Sequence, residues 1–313
     1  MEKLSFDQID ILLIDPDRVV RTAIRNMLVD NGFRNVTLGS GMADINTKMR
    51  IGMPDLLISD IKLEDGDLNA FVYGLRHHNV GSNPFLPVIA TAWSPTTDDV
   101  RAIVQSGADD MITKPLSAGQ ILQRIKMLIK ARKPFVVTSG YIGPDRRKPG
   151  ADHDRGEVIK PIEVPNILRA KAMGERGKDV SQIQQQIDTC IKKVNIEKLE
   201  RHSHQVTWLV ERIVPAMVFG SPDESTIKSL DRLLYVGEDI SRRMVGTPFA
   251  HVGELCKSLI SVTQRILDAG DFPAHKDVDL LKPLAQSIQR GFDQTDDEAT
   301  RTAQKITDTL NIK

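Results

Sequence analysis

Three charged residues, Asp15, Asp60 and Lys114, lie at the ends of short, mainly apolar runs and together could carry phosphoryl chemistry. Clustered carboxylates bind a hard cation such as Mg²⁺, and an aspartate carboxylate can act as a nucleophile that forms an acyl phosphate. A lysine ammonium can hold phosphoryl oxygens through charge-assisted hydrogen bonds. Thr91, near the end of another apolar run, could close its hydroxyl on a bound phosphate. These residue types predict a phosphoacceptor site, provided that the fold brings them together.

The elements that must position these residues are short apolar runs that alternate with amphipathic stretches up to about residue 133. The predicted strands are residues 11–14, 35–38, 56–59, 86–90 and 110–113, and a helical pattern follows each of them. Five strands that alternate with five helices predict an α/β fold, in which helices cover both faces of a doubly wound parallel sheet. Ligands of such sheets lie at the carboxyl ends of the strands. There the sequence places Asp15, Asp60, Lys114 and the pair Thr91 and Ala92.

The rest of the chain has a different pattern. Residues 134–165 hold five prolines, several glycines and a charge-dense stretch, and because proline at this density cannot continue a helix, we expect a linker. Its short apolar run at residues 135–137 is a candidate for docking back on a domain. From residue 166 to 313 the apolar residues recur at helical spacing, which predicts an all-helical bundle whose last helix opens at Thr295. The predicted domains are therefore residues 1–133, a linker over 134–165, and a helical domain over 166–313.

Composition and charge narrow the class of protein. Lysine plus arginine and aspartate plus glutamate number 42 each, so the formal net charge is zero, which argues against a nucleic-acid partner. Cys190 and Cys256 are far apart and show no metal-ligand spacing. The first residues lack the apolar stretch of a signal peptide, and no run reaches the length of a membrane span. We expect a cytoplasmic protein with no membrane partner.

Four segments, ILLIDPD, PDLLISD, LPVIATA and SGADDMITKP, together resemble the receiver domain of two-component response regulators over about the first 130 residues. The resemblance implies a flavodoxin-like fold in which Asp60 is the phosphoacceptor and Lys114 binds the phosphate. It also implies an Mg²⁺ site that Asp15, Asp60 and the backbone carbonyl of Lys62 form, with Asp17 as a further candidate ligand. A histidine kinase or a phosphotransfer protein is the implied phosphodonor.

The sequence departs from the receiver pattern at several positions, among them the stretch at residues 63–68 that follows the phosphoacceptor. Pro16 stands where receivers usually carry a second acid, and an acid reappears only at Asp17, so we expect weakened metal affinity unless Asp17 takes part. Counting back from Lys114 without gaps puts Ala92 at the hydroxyl position, whereas the local Thr-Ala pair favours Thr91. The position of the switch aromatic holds Met111.

These observations predict a response regulator that accepts a phosphoryl group on Asp60 and acts through protein contacts of its helical half, for which a homodimer is one form. We expect no enzymatic activity beyond its own phosphoryl transfer. One alternative is a DNA-binding transcription regulator, and another is a degenerate receiver that acts as an interaction module without phosphorylation. A third is a phosphatase that uses residues 184–186, Glu197 or Glu200 of the bundle. His202 and His204 are expected to be surface histidines.

Overall fold

The computed structural model describes residues 4–147, 159–174, 180–219, 222–244, 247, 249–270 and 273–293. The predicted last helix that opens at Thr295 lies outside the described residues. The chain divides into two compact units, Met1–Ile191 and Lys192–Lys313. Among the described residues, no helix combines the length and the apolar character that crossing a membrane requires.

The first unit is an α/β structure. Its elements are β1 (Asp10–Ile14), α1 (Arg18–Asp30), β2 (Asn35–Gly39), α2 (Met42–Ile51), β3 (Leu56–Asp60), β4 (Lys62–Leu63), β5 (Gly66–Asp67), α3 (Leu68–Arg76), β6 (Val88–Trp93), α4 (Thr97–Ser106), β7 (Asp110–Lys114), α5 (Ala118–Ala131), β8 (Phe135–Val137), β9 (Ile142–Pro144) and α6 (Ile167–Ala172). The long helix α7 (Val180–Phe219) runs through the point at which the two units divide.

Five parallel strands form the central sheet in the order β2-β1-β3-β6-β7. The central strand β3 is buried at every residue, as expected of a strand with helices on both faces. One apolar cluster joins a face of the sheet to α1, α5 and α6, and a second cluster joins the other face to α2, α3 and α4. The predicted fold class, a doubly wound flavodoxin-like sheet, is confirmed.

Strand β6 differs from its predicted bounds, residues 86–90. The strand begins at Val88 and ends at Trp93, because Pro87 has no N–H to donate and because Thr91, Ala92 and Trp93 pair with β7. The last residue of β6 at the carboxyl edge of the sheet is therefore Trp93.

Residues 134–147, predicted as part of a linker, pack on the first unit instead. β8 and β9 form an antiparallel hairpin whose six residues are all buried. The Arg146 guanidinium donates a hydrogen bond of 2.6 Å to the backbone carbonyl of Ala108, just before β7. Burial of the short apolar run at residues 135–137 accounts for this difference, since the run is too apolar to remain in solvent.

A buried ionic group anchors this hairpin. The Asp109 carboxylate accepts hydrogen bonds from Arg76 at 2.9 Å and from Arg132 at 2.8 Å. Both guanidinium carbons lie 5.2 Å from the centroid of the Phe135 ring, within the range of a cation–π contact. Burial lowers the pKa of Arg76 to about 10, although the charge of Asp109 raises it.

Helix α6, predicted to open the helical domain, belongs to the first unit. Leu168 and Ala172 are fully buried in the apolar cluster of α1 and α5. Lys171 forms an ion pair of 2.7 Å with Asp55, which directly precedes β3. The division of the chain after Ile191 therefore lies further along than the predicted boundary at residue 166.

The described part of the second unit is helical, which confirms the predicted all-α class of this region. It contains the end of α7 together with α8 (Glu224–Arg243), a short 3-10 helix (Ala250–Val252), α9 (Gly253–Asp268) and α10 (His275–Asp293). One apolar cluster connects the helices, with Val206, Leu233, Leu259 and Leu281 among its buried members.

A buried polar cluster also joins α7 to α8. His202, predicted to be at the surface, is fully buried, and its Nε2 lies 2.8 Å from Oδ2 of Asp239. Arg243 donates to the same carboxylate at 2.9 Å, and Lys198 is fully buried beside them on α7. Burial opposes the charged form of Asp239, but the hydrogen bond from His202 and the charge of Arg243 outweigh it and hold the pKa of this carboxyl well below its usual range. The periodicity of α7 could not reveal the partner on α8 that makes this burial possible.

We expect Lys198→Met to flatten the dependence of stability on pH between about 7 and 10. Burial lowers the pKa of Lys198 to about 7, whereas the unfolded chain keeps the ordinary value of 10.5. The unfolded chain therefore binds more protons across this window, so the free energy of unfolding of the wild type rises with pH there. The measurement is urea unfolding at several pH values, followed by the fluorescence of Trp208 in a Trp93→Phe background.

The variant is expected to differ from the wild type by on the order of 1–3 kcal/mol between the two ends of the window. Lys228→Met is the matched control, because the side chain of Lys228 is 71% exposed. Parallel pH profiles for the wild type and Lys198→Met would contradict the interpretation.

Candidate functional site

Three predicted residues meet at the carboxyl edge of the sheet. Asp15 directly follows β1, Asp60 ends β3 and Lys114 ends β7. The Lys114 ammonium contacts the carboxylates of both Asp15 and Asp60. The three residues are only 1%, 5% and 6% exposed, respectively. The structure therefore assembles two buried carboxylates around one buried ammonium, as the strand ends predicted.

Backbone groups fix the second oxygen of each carboxylate. Oδ1 of Asp60 accepts a hydrogen bond of 2.6 Å from the N–H of Lys62, and Oδ1 of Asp15 accepts one of 2.9 Å from the N–H of Asp17. The N–H of Ile61 donates to the carbonyl of Thr91 at 3.0 Å, which fixes the chain just after Asp60. Both carboxylates are therefore held in position before any ligand arrives, which is the arrangement that a reacting group needs.

The structure does not bring Asp17 to this pair of carboxylates. Asp17 is the N-cap of α1, and its carboxylate accepts hydrogen bonds from the N–H groups of Val19 at 2.7 Å and Val20 at 3.3 Å. Capping satisfies N–H groups that have no partner within the helix, and an aspartate is among the preferred residues for it. The geometry therefore does not support the predicted role of Asp17 as a metal ligand.

The remaining oxygens still fit a magnesium site, with fewer protein ligands. Among the described residues, no three His, Cys, Asp or Glu side chains converge as a metal site would require. Asp15, Asp60 and the Lys62 carbonyl remain as the candidate ligands. Mg²⁺ prefers oxygen ligands and often takes only one or two carboxylates while it keeps several waters. These oxygens suit Mg²⁺, but two carboxylates and a carbonyl would bind it more weakly than three carboxylates would.

Arg21 is a second cationic residue at the site, and it is not among the predicted site residues. Its guanidinium contacts the backbone carbonyl of Asp15 and lies 3.2 Å from the carbonyl of Pro16. The sequence does contain a signal for this position. Arg21 is four residues after Asp17, the N-cap of α1, and residues four apart on a helix lie side by side.

Thr91 lies within β6, not at its end. It is 1% exposed and pairs with Asp60 on one side and Ile112 on the other. The aromatic residue two positions later, Trp93, pairs with Lys114, and the Lys114 Nζ lies 5.9 Å from the centroid of its ring. The side chain from β6 that contacts Lys114 is therefore Trp93, which the predicted bounds of the strand had placed outside the sheet.

Met111, at the predicted position of the switch aromatic, is part of the packing of the sheet. It pairs with Ala90 within the sheet and packs against the apolar cluster of α2, α3 and α4. Its side chain is partly buried.

Comparisons with known proteins agree on the first part of the chain. Residues 11–126 match the family model of the response regulator receiver domain. The chain is 28% identical over 124 residues to the KDP operon transcriptional regulatory protein KdpE of Escherichia coli K12, a match of 39% of this chain and 51% of KdpE. It is 30% identical over 128 residues to the phosphate regulon transcriptional regulatory protein PhoB of the same organism, a match of 41% of this chain and 54% of PhoB. The chain thus spans about half the length of the curated relatives that it matches.

One solved structure that matches part of this chain is the receiver domain of the sensor histidine kinase PA1611 from Pseudomonas aeruginosa PAO1, with a magnesium ion coordinated in its active site cleft. It is 27% identical, with a TM-score of 0.34 over 38% of this chain and 94% of that one. The family model, the relatives and the sheet order describe the same region of the chain. Residues 11–126 form a response regulator receiver domain.

Proposed function

We propose that this protein accepts a phosphoryl group on Asp60 and passes the signal on through its helical half. The observation that carries the proposal is the contact of the buried Lys114 ammonium with the carboxylates of Asp15 and Asp60. An oxygen of Asp60 bonds to phosphorus while the bond between phosphorus and the donor breaks, and the donor leaves with the electron pair. Lys114 offsets the added negative charge, because an ammonium binds phosphoryl oxygens through charge-assisted hydrogen bonds.

The proposed phosphodonor is the phosphohistidine of a histidine kinase or of a phosphotransfer protein. Asp15, Asp60 and the carbonyl of Lys62 would hold Mg²⁺, which offsets charge on the transferring group. In this proposal the Asp17 carboxylate continues to accept a hydrogen bond from the first turn of α1 and so orders the loop after β1. Apart from its own phosphoryl transfer, we propose no enzymatic activity for the chain.

The proposed output is a protein contact of the helical half, in the cytoplasm, and a homodimer is one form of it. The zero net charge supports this over DNA binding, which usually needs a basic face. The names of KdpE and PhoB favour the second candidate, a transcriptional regulator. The match covers only about half the length of each relative. The activity that each name gives belongs to the whole relative, of which the shared region is only a part.

Asp60→Asn is expected to abolish phosphoryl acceptance, because an amide nitrogen or oxygen does not replace the carboxylate nucleophile. The full chain is incubated with Mg²⁺ and acetyl phosphate, and the phosphoryl group is detected as a gain in intact mass. Asp98→Asn is the matched control, because the Asp98 side chain is 88% exposed and pairs across one turn with Arg101. The proposal is wrong if the wild type and Asp98→Asn gain no more mass than Asp60→Asn.

Pro16→Asp is expected to tighten Mg²⁺ binding by roughly tenfold, because it adds a carboxylate ligand next to Asp15. Asp17→Asn should leave the affinity within about twofold, since asparagine caps a helix as well as aspartate does. The affinities are measured by calorimetric titration of the full chain. An effect of Asp17→Asn as large as that of Asp15→Asn would show that Asp17 is a ligand after all.

The two output hypotheses differ in their response to salt. A chain that acts through protein contacts is expected to pass through a column of immobilised duplex DNA at low salt, both before and after incubation with acetyl phosphate. A transcription regulator would be retained and would elute as the salt concentration rises, because bound phosphates release counterions. Salt-dependent retention of the wild type, with or without phosphorylation, would replace the first hypothesis with the second.

A further inference from the structure

Trp93 lies against the ammonium of the proposed phosphoacceptor site. It is the last residue of β6 and pairs directly with Lys114, the last residue of β7. Residues that are directly paired on neighbouring strands project to the same face of a sheet. The distance of 5.9 Å between the Lys114 Nζ and the centroid of the indole ring is within the range of a cation–π contact.

The indole is half exposed, although the groups that it adjoins are buried. Trp93 is 52% exposed, whereas Asp60 and Lys114 are 5% and 6% exposed. One part of the ring therefore contacts the ammonium and another part faces solvent. A large rigid side chain in this position limits the approach of molecules from solvent to the ammonium and to the carboxylate that the ammonium contacts.

The backbone that follows Trp93 restricts where this residue can place its Cα. Ser94 has a φ of 41°, in the left-handed region that residues other than glycine rarely adopt. Two residues later, Thr96 caps α4 in a capping box with Asp99. Because the connection between β6 and α4 is so short, a displacement of the Trp93 backbone must change either the strained Ser94 or the start of α4. Strained backbone of this kind is often found at functional sites.

We propose that Trp93 is a positioning residue that shields the Lys114–Asp60 pair and so slows its reaction with small phosphodonors and with water. This inference rests on the proposed function of Asp60. Two reactions are affected. In the first, Asp60 takes the phosphoryl group from a small acyl phosphate, whose acetate leaves. In the second, the oxygen of a water molecule bonds to phosphorus, the bond between phosphorus and Asp60 breaks, and inorganic phosphate leaves with the proton.

Trp93→Ala is the direct test, with Trp93→Phe as the conservative variant. Both rates are measured on the full chain: the gain of mass from acetyl phosphate with Mg²⁺, and the loss of the phosphoryl group after the donor is removed. Trp93→Ala should raise both rates roughly tenfold, and Trp93→Phe should stay within about twofold of the wild type because it keeps an aromatic face. Trp208→Phe is the matched control, since Trp208 is an exposed tryptophan of α7.

Equal rates for the wild type and Trp93→Ala would overturn the inference, and so would a Trp93→Phe variant as fast as Trp93→Ala. A second measurement does not depend on phosphorylation. Reductive methylation of lysines, read out by peptide mass spectrometry, should label Lys114 several times faster in Trp93→Ala than in the wild type, with the exposed Lys228 as the internal reference. If the wild type accepts no phosphoryl group, the proposed function fails, and the labelling rates alone decide whether Trp93 shields Lys114.

Discussion

The contact of one ammonium with two buried carboxylates constrains the whole edge of the sheet. Lys114 ends β7, and β6 lies between it and β3, which ends at Asp60. Neighbouring strands are about 4.8 Å apart, so the side chains of Lys114 and Asp60 must together span roughly 10 Å of sheet to meet. A long side chain that crosses the end of β6 necessarily passes its last residue. The position of Trp93 beside Lys114 therefore follows from the strand order.

The same contact makes the three buried charges depend on one another, so that removing one side chain leaves a buried charge without its partner. Two carboxylates buried close together repel each other, and each loses contact with water. The ammonium offsets this cost, and the N–H groups of Lys62 and Asp17 satisfy the oxygens that the ammonium leaves free. A buried charge without its partner costs several kcal/mol, typically about 3–5. Asp15 therefore stabilises the position of Lys114 independently of any metal.

The sequence predicted the parts of this arrangement that depend on local pattern, and it missed those that depend on partners. The apolar runs before Asp15 and Asp60 indicated buried strands, and their order placed the acids at one edge. The end of β6 depends on pairing with β7, which no local pattern contains. The role of Asp17 depends on a competition between helix capping and metal binding, and burial of His202 depends on Asp239 in another helix. The apolar run at residues 135–137 indicated that this part of the linker docks on a domain, but its hairpin pairing with residues 142–144 depends on a partner strand and was missed.

Pro16, in place of a second acid, changes the net charge around the proposed phosphoacceptor Asp60. With Asp17 engaged on α1, the buried group of Asp15, Asp60 and Lys114 carries a formal charge of −1, where a third carboxylate would make it −2. The lower negative charge attracts a divalent cation less strongly, but it also repels an incoming phosphoryl group less strongly. The guanidinium of Arg21, held on the carbonyls of Asp15 and Pro16, adds positive charge at the same edge. A proline in place of the second acid would thus lower the affinity for a divalent metal and would also reduce the charge that such a metal has to offset.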